Sequence, residues 1–154
     1  MYRVLRIGLT LVIVAGSLLA GNGPAALAET PAERVARCLD GGMAPRDVVD
    51  RSRFERTTYT LSCGSPISYG VLHIDDGHGV NDHGNFIACF RRMVVEAGPA
   101  SEDPFRPYLV RVLNVDLGNI KAYLVYEQNG NVESMYTTGV QSNNWRACAK
   151  VSPL

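Results

Sequence analysis

The fold is decided by the stretch IKAYLVYEQNGNVESMYTT, which covers residues 120–138. Two runs rich in β-branched and aromatic residues flank Asn129-Gly130, and Asn-Gly between such runs is the strongest short signal for a β-hairpin. A third run of the same kind precedes the hairpin. The sequence therefore predicts an antiparallel meander of three strands, at 108–115, 120–127 and 131–138.

A two-residue turn at Asn129-Gly130 places Gln128 opposite Asn131 and so fixes the register of the hairpin. Because side chains alternate between the two faces of a strand, the sheet has one apolar face and one face with polar groups at its centre. The apolar face, which is the predicted core face, holds Ala122, Leu124, Met135, Leu109, Leu113, Val115 and Ile120. The opposite face holds Lys121, Tyr123, Ser134, Tyr136 and Thr138.

Helices are predicted upstream of the meander. The capping box Thr30-Pro31-Ala32-Glu33 starts a helix that runs to about Leu39. A second, weaker helical pattern covers 45–54. A third helix begins with Asn85 as its cap and ends at Gly98-Pro99.

Two further segments complete the predicted architecture. A short strand is expected at 57–61 and a surface loop at 98–107. The chain is thus predicted to be α+β, with N-terminal helices packed on a C-terminal antiparallel β-meander in a single small domain.

The first 28 residues have the three parts of a secretory signal peptide. Two arginines come first, an apolar run follows, and Ala26-Leu27-Ala28 has the small-x-small form of a cleavage site. The sequence predicts a secreted domain at 29–154 with no membrane association in its mature form. The alternative is an uncleaved anchor, although the apolar run is shorter than the roughly 20 residues of a membrane span.

The predicted mature domain is close to neutral. The 15 Lys and Arg residues of the chain lose Arg3 and Arg6, which leaves 13 against 15 Asp and Glu, a net charge near −2. Sequence-independent attraction to nucleic acid should therefore be weak. Six arginines between residues 34 and 56 make the N-terminal third locally basic, which indicates either solvated helix faces or a phosphate-facing flank.

All four cysteines lie in the predicted mature domain, at Cys38, Cys63, Cys89 and Cys148. An even number of cysteines in a small exported domain predicts two disulfides. Three pairings are possible, and the sequence does not choose among them.

The stretch GVLHIDDGHG, residues 70–79, carries two of the three histidines of the chain. Read as a tight loop, it presents His73 and His78 for general acid/base work, in which one group accepts a proton and the other donates one. A metal site for zinc or a similar ion is the alternative, and an ordinary loop histidine bonded to Asp is the third interpretation. The metal alternative would use His73, Asp75, Asp76, His78, Asp82 and His83.

Lys121 is one of two lysines in the predicted mature domain, and it falls in the middle of a predicted strand. A lone cation beside Ser134 and Tyr136 would suit an anionic group such as phosphate. The alternative is an edge lysine whose aliphatic stem covers apolar surface.

These motifs together resemble those of ribonuclease toxin domains in the barnase, EndoU, colicin D and RelE superfamily. The resemblance is based on the segment 70–79, the amphipathic helix after it, and Val132-Glu133-Ser134-Met135-Tyr136 on the last strand. The similarity covers about residues 68–139, and the order of helices first and a meander after them is similar too. Gly77 and the two neighbouring aspartates depart from the basic residue often found before the second histidine.

The resemblance implies a toxin-type ribonuclease that cleaves RNA by metal-independent transesterification, with no cofactor. It implies catalytic roles for His73 and His78 as acid and base, Lys121 as a phosphate contact, and Ser134 and Tyr136 as positioning groups. The partners implied are an RNA substrate and an immunity protein or other partner protein. The alternative function is a secreted, disulfide-stapled binding module that acts on a partner protein or envelope component through the face of Tyr123 and Tyr136.

Overall fold

The computed structural model describes residues 28–103, 106–115, 119–138 and 144–150. Apart from Ala28, the predicted signal peptide lies outside these residues. No helix in the described ranges has both the length and the apolar character needed to cross a membrane. The elements are α1 (Pro31–Leu39), β1 (Val48–Phe54), β2 (Thr57–Ser62), α2 (Gly70–His78), α3 (His83–Glu96), β3 (Ser101–Glu102), β4 (Leu109–Val115), β5 (Ile120–Tyr126), β6 (Val132–Thr138) and α4 (Trp145–Ala149).

The predicted α+β class is confirmed, and the strands form two antiparallel sheets. One sheet is the hairpin β1–β2, and the other has four strands in the order β3-β4-β5-β6. The backbones of the two sheets are joined where Thr60 forms a parallel bridge with Asn131 and its N–H donates to the carbonyl of Gly130 at 3.0 Å. Helix α3 packs on the apolar face of the larger sheet, so the domain has one continuous core.

The predicted register of the β5–β6 hairpin is confirmed in its middle, where Tyr123 pairs with Tyr136 and Lys121 with Thr138. The predicted two-residue turn is wrong. Glu127 donates its N–H to the carbonyl of Asn131 at 2.9 Å, so the loop has three residues and ends with Gly130 at φ 89°. A bulge at Glu133 then shifts the pairing back by one residue, which restores the predicted faces.

The first helix is confirmed with its capping box, in which Thr30 accepts from the N–H of Glu33 at 3.2 Å and donates its own N–H to the Glu33 carboxylate at 2.7 Å. The predicted start of the third helix is wrong. Asp82 is the cap of α3, since its carboxylate accepts from the N–H of Asn85 at 3.1 Å, and Asn85 lies inside the first turn.

The weak helix predicted over 45–54 is wrong, because this segment forms strand β1. It pairs with β2 through a tight turn at Glu55, whose φ is 52°. Val49 and Asp50 are buried against the helices, and the Asp50 carboxylate pairs with Arg91 of α3 at 2.8 Å. Tertiary pairing therefore overrides the helical preference of the segment. Strand β3 in the predicted loop and helix α4 were not predicted.

The prediction of two disulfides is confirmed, and the structure supplies the pairing. Cys38 bonds to Cys63, and Cys89 bonds to Cys148. The first bond ties α1 to the segment after β2, and the second ties α4 to α3. Disulfides are typical of proteins in an oxidising compartment; secretion itself stays a prediction.

Candidate functional site

The histidine segment is helix α2 and not the predicted loop. Val71 and Ile74 are fully buried and anchor the helix, while His73 and His78 remain half-buried. The helix packs against β6, the last strand of the sheet. Gly77 and the neighbouring aspartates favour a turn locally, and the anchoring of the apolar residues decides against it. Both imidazoles are therefore carried on a rigid element beside the sheet.

The ring of His78 stacks on the ring of Tyr136, with centroids 5.0 Å apart and an interplanar angle of 27°. Tyr136 in turn stacks on Tyr123 of β5, with centroids 4.9 Å apart and an angle of 9°. The three rings form a continuous aromatic row across the face of the sheet that points away from α3. We call this the aromatic row, and it contains two of the five predicted catalytic residues.

Lys121 and Ser134, two further predicted site residues, share the face of the aromatic row. Lys121 is exposed and pairs with Thr138, two positions beyond Tyr123 along β5. Ser134 lies on the other side of the row and is buried at 9 % exposure. The ammonium of Lys121 is thus exposed at one end of the aromatic row, whereas Ser134 is buried at the other end.

The surroundings of His78 and Tyr136 favour the uncharged form of both side chains near pH 7. Burial, and then repulsion by His73, lowers the pKa of His78. Burial, with smaller contributions from Tyr123 and Asp103, raises the pKa of Tyr136. A neutral imidazole accepts a proton and a protonated phenol donates a hydrogen bond, so the row combines a base with a donor.

His73 lies near Glu133, at the beginning of β6, whereas Lys121 pairs with Thr138 at the end of that strand. Its Nδ1 is 3.0 Å from the carbonyl of Pro66, so Nδ1 carries the hydrogen that is donated to that oxygen. The ring lines a cavity of about 390 Å³ with Arg106, Tyr108 and Glu133. The predicted convergence of both histidines on Lys121 is therefore not what the fold provides, because only His78 belongs to the row that leads to it.

Glu133 is a site residue that the sequence did not reveal. Its carboxylate accepts a hydrogen bond from the Tyr108 hydroxyl at 3.1 Å, and burial raises its pKa. The charge of His73 acts on it in the opposite direction, which places the imidazole and the carboxyl within electrostatic reach. Strict alternation would put Glu133 on the core face with Met135, so only the bulge brings it to this cavity.

The donors of the metal alternative are used elsewhere. Asp75 accepts from the N–H of Val80 at 2.6 Å, and Asp82 caps α3. Across the described ranges, no three His, Cys, Asp or Glu side chains are grouped so that they could hold a metal ion. The six residues are instead distributed over α2 and the beginning of α3.

Comparisons with protein-family models, with curated proteins and with solved structures find no match to this chain. The resemblance to ribonuclease toxin domains therefore stays a prediction from the motifs.

Proposed function

We propose that the protein is a metal-independent ribonuclease whose site is the surface formed by α2 and the outward face of the sheet. The observation that carries the proposal is the aromatic row, in which His78 stacks on Tyr136 and Tyr136 stacks on Tyr123, with Lys121 further along the same face. RNA bases that are splayed from a single strand stack on aromatic side chains. The row therefore supports recognition of an unpaired nucleotide next to a proton acceptor.

In the proposed reaction, His78 accepts the proton of a ribose 2′-hydroxyl, whose oxygen attacks the adjacent phosphorus. The bond from phosphorus to the 5′ oxygen breaks, and protonated His73 supplies a proton to that leaving oxygen. The products are a 2′,3′-cyclic phosphate and a 5′-hydroxyl. The two histidines are five residues apart on α2, about 7.5 Å along its axis and about 140° around it, and the charge of His73 acts on His78, so the scheme requires a phosphodiester that reaches both rings.

Lys121 and Tyr136 take supporting roles in this scheme. The ammonium of Lys121, at the end of the aromatic row away from His73, contacts a neighbouring phosphate of the bound strand and not the one that reacts. The hydroxyl of Tyr136 donates a hydrogen bond and its ring holds His78 in place. Ser134, being buried, positions the substrate indirectly by supporting the ring of Tyr136 from the same strand.

The test is incubation of the oxidised domain with transfer RNA in the presence of EDTA. We expect products with cyclic phosphate ends, and we expect His78→Ala and His73→Ala each to lower the rate by roughly 100-fold or more. His83→Ala is the matched control, because His83 is the third histidine of the chain and opens α3 instead of α2. Absence of cleavage, or equal rates for His78→Ala and His83→Ala, would refute the proposal.

A second candidate function, the non-enzymatic binding module, is favoured by the composition of the same face. Val110 pairs with Val125, and Val112 pairs with Tyr123, so three half-exposed valines adjoin the aromatic row. An apolar patch with tyrosines at its edge suits a protein partner. Under this candidate, added RNA leaves the ring NMR signals of Tyr123 and Tyr136 unchanged, whereas under the ribonuclease proposal it shifts them.

A further inference from the structure

A second cavity, also of about 390 Å³, lies between the β1–β2 hairpin and the beginning of β6. The hairpin wall carries two arginines and two hydroxyl side chains, and the facing wall carries carboxylates. The residues that matter are Arg46, Arg51, Thr60, Ser62, Tyr69 and Glu133. Thr60 lies directly opposite Arg51 in the strand pairing, so the guanidinium and the hydroxyl belong to one surface.

The two arginines have no ionic partner within the described part of the chain. Other arginines do have one, since Arg37 pairs with Glu29 at 2.7 Å and Arg91 pairs with Asp50 at 2.8 Å. Arg46 and Arg51 are both exposed, and both line the cavity. A guanidinium presents several N–H groups in a fixed plane, which suits the oxygens of a phosphate.

The carboxylates across the cavity are bound to neutral donors. Glu127 accepts from the amide groups of Asn129 at 2.9 Å and Asn131 at 3.2 Å. Glu133 accepts from the hydroxyl of Tyr108, and burial raises its pKa. Neither carboxylate forms a salt bridge with the arginines in the described residues, so the positive wall remains available to an external anion.

This cavity adjoins the one at His73. Glu133 lines both cavities. Consecutive residues divide between them, since Ile67 and Ser68 line the His73 cavity and Tyr69 lines the arginine cavity. The two cavities therefore lie close enough together for one RNA strand to contact both.

We infer that Arg46 and Arg51 form a phosphate-binding subsite for a second phosphodiester of the RNA strand whose reactive phosphate lies at α2. The inference rests on the proposed function for the identity of the ligand. The subsite offsets the weak overall attraction of a near-neutral protein for nucleic acid by placing two cations where the strand leaves the reaction centre.

The test measures binding separately from cleavage. The probe is a fluorescein-labelled hexaribonucleotide with 2′-O-methyl groups, which cannot be cleaved because the attacking hydroxyl is blocked. Fluorescence anisotropy at several salt concentrations gives the Kd and its salt dependence for the oxidised protein. We expect Arg46→Gln and Arg51→Gln each to raise the Kd about tenfold and to lower the slope of log Kd against log salt by about 0.7.

Arg53→Gln is the matched control. Arg53 is exposed on the same strand and the same face as Arg51, but its Nε donates to the carbonyl of Glu55 at 3.3 Å and it does not line the cavity. Its Kd should stay within about twofold of the wild-type value. Thermal melting of each variant confirms that the fold is intact.

The outcomes separate this inference from the proposed reaction. Equal Kd values for Arg51→Gln and Arg53→Gln, or no binding of the probe at low salt, would overturn the subsite. If the wild-type protein cleaves RNA while the arginine changes have no effect, the inference alone fails. If the arginine changes weaken the probe while no RNA is cleaved, the proposed reaction fails and the subsite stands as a strand-binding site.

Discussion

At the scale of single residues, the imidazole of His78 reports most directly on the site. Burial against Tyr136, and then the charge of His73, lowers its pKa. We expect its ring protons to titrate by NMR at a lower pH than the value near 6.5 of a free histidine. His73→Gln should move the titration partly back upward, because it removes the repelling charge. A titration at or above 6.5 in the wild-type protein would contradict the assignment.

The same shift links His78 to stability. Its folded-state pKa lies below its unfolded value, so the unfolded chain binds more protons and the free energy of unfolding decreases as pH falls through about 6.5 toward the folded pKa. His78→Gln should remove this part of the pH dependence, as measured by urea midpoints between pH 7.5 and 5. The raised pKa of Glu133 makes the free energy of unfolding increase as pH falls, which is the opposite direction. This contribution is the same in the wild-type protein and in His78→Gln.

Substitution of glycine by alanine should have opposite effects on the free energy of unfolding at Gly64 and at Gly77. Gly64 has φ 79°, and a Cβ there would lie 1.6 Å from the carbonyl oxygen of Tyr69, so Gly64→Ala should cost about 2 kcal/mol or more. Gly77 lies in α2 with nothing within 4 Å of a Cβ, so Gly77→Ala should stabilise by up to about 1 kcal/mol. Urea unfolding of both variants tests this, and equal changes would contradict it.

At the scale of elements, Arg111 of β4 joins the sheet to the end of α3. It is 4 % exposed, and its guanidinium donates to the carbonyls of Val94 at 2.6 Å, Ala97 at 2.6 Å and Gly98 at 3.1 Å. Its charge also lies 4.8 Å from the ring centroid of Phe54 on the smaller sheet. The negative end of the α3 dipole and these carbonyls stabilise a buried cation that has no carboxylate partner in the described residues.

Arg111→Met should therefore lower the free energy of unfolding by about 3 kcal/mol, since it leaves these carbonyls without a donor. Arg53→Met is the comparison, because that arginine is exposed and should change stability by about 0.5 kcal/mol or less. Guanidinium unfolding monitored by circular dichroism measures both. Similar losses in the two variants would show that the burial of Arg111 is not what matters.

The elements that the sequence predicted correctly are those whose signal is local. The capping box at Thr30 and the alternation on either side of Asn129-Gly130 need no distant partner. Strand β1 and helix α2 were missed because long-range contacts form them, namely pairing with β2 and the burial of Val71 and Ile74. The turn was predicted one residue too short, and the bulge at Glu133 compensated for that error.

At the scale of the whole molecule, the disulfides should carry a large part of the stability. The bonded cysteines are 25 and 59 residues apart, for which the chain-entropy model gives about 3.5 and about 4 kcal/mol. Replacing Cys38 and Cys63 by Ser should lower the Tm by roughly 10–20 °C, as should selective reduction. Differential scanning calorimetry with and without reductant checks this, and an unchanged Tm would contradict it.

The candidate site could be predicted from the sequence only in part. The face shared by Lys121, Tyr123 and Tyr136 follows from strand alternation, and the stacking of His78 on it extends that face. The neighbourhood of His73 could not be predicted, because Glu133 reaches it through a bulge and Arg106 and Tyr108 reach it through the packing of separate segments. Short-range patterns identify faces, while clusters drawn from several elements depend on the assembled fold.

Trp145, the only tryptophan of the chain, is buried in α4, and its indole N–H donates to the carbonyl of Gly79 at 2.8 Å. Gly79 directly follows His78 at the end of α2. Excitation at a wavelength that tyrosine does not absorb thus gives an optical signal from one position, coupled to the last turn of the histidine helix. Ligand binding at α2, or local unfolding of its last turn, can be followed in real time by the fluorescence of Trp145, without any attached dye.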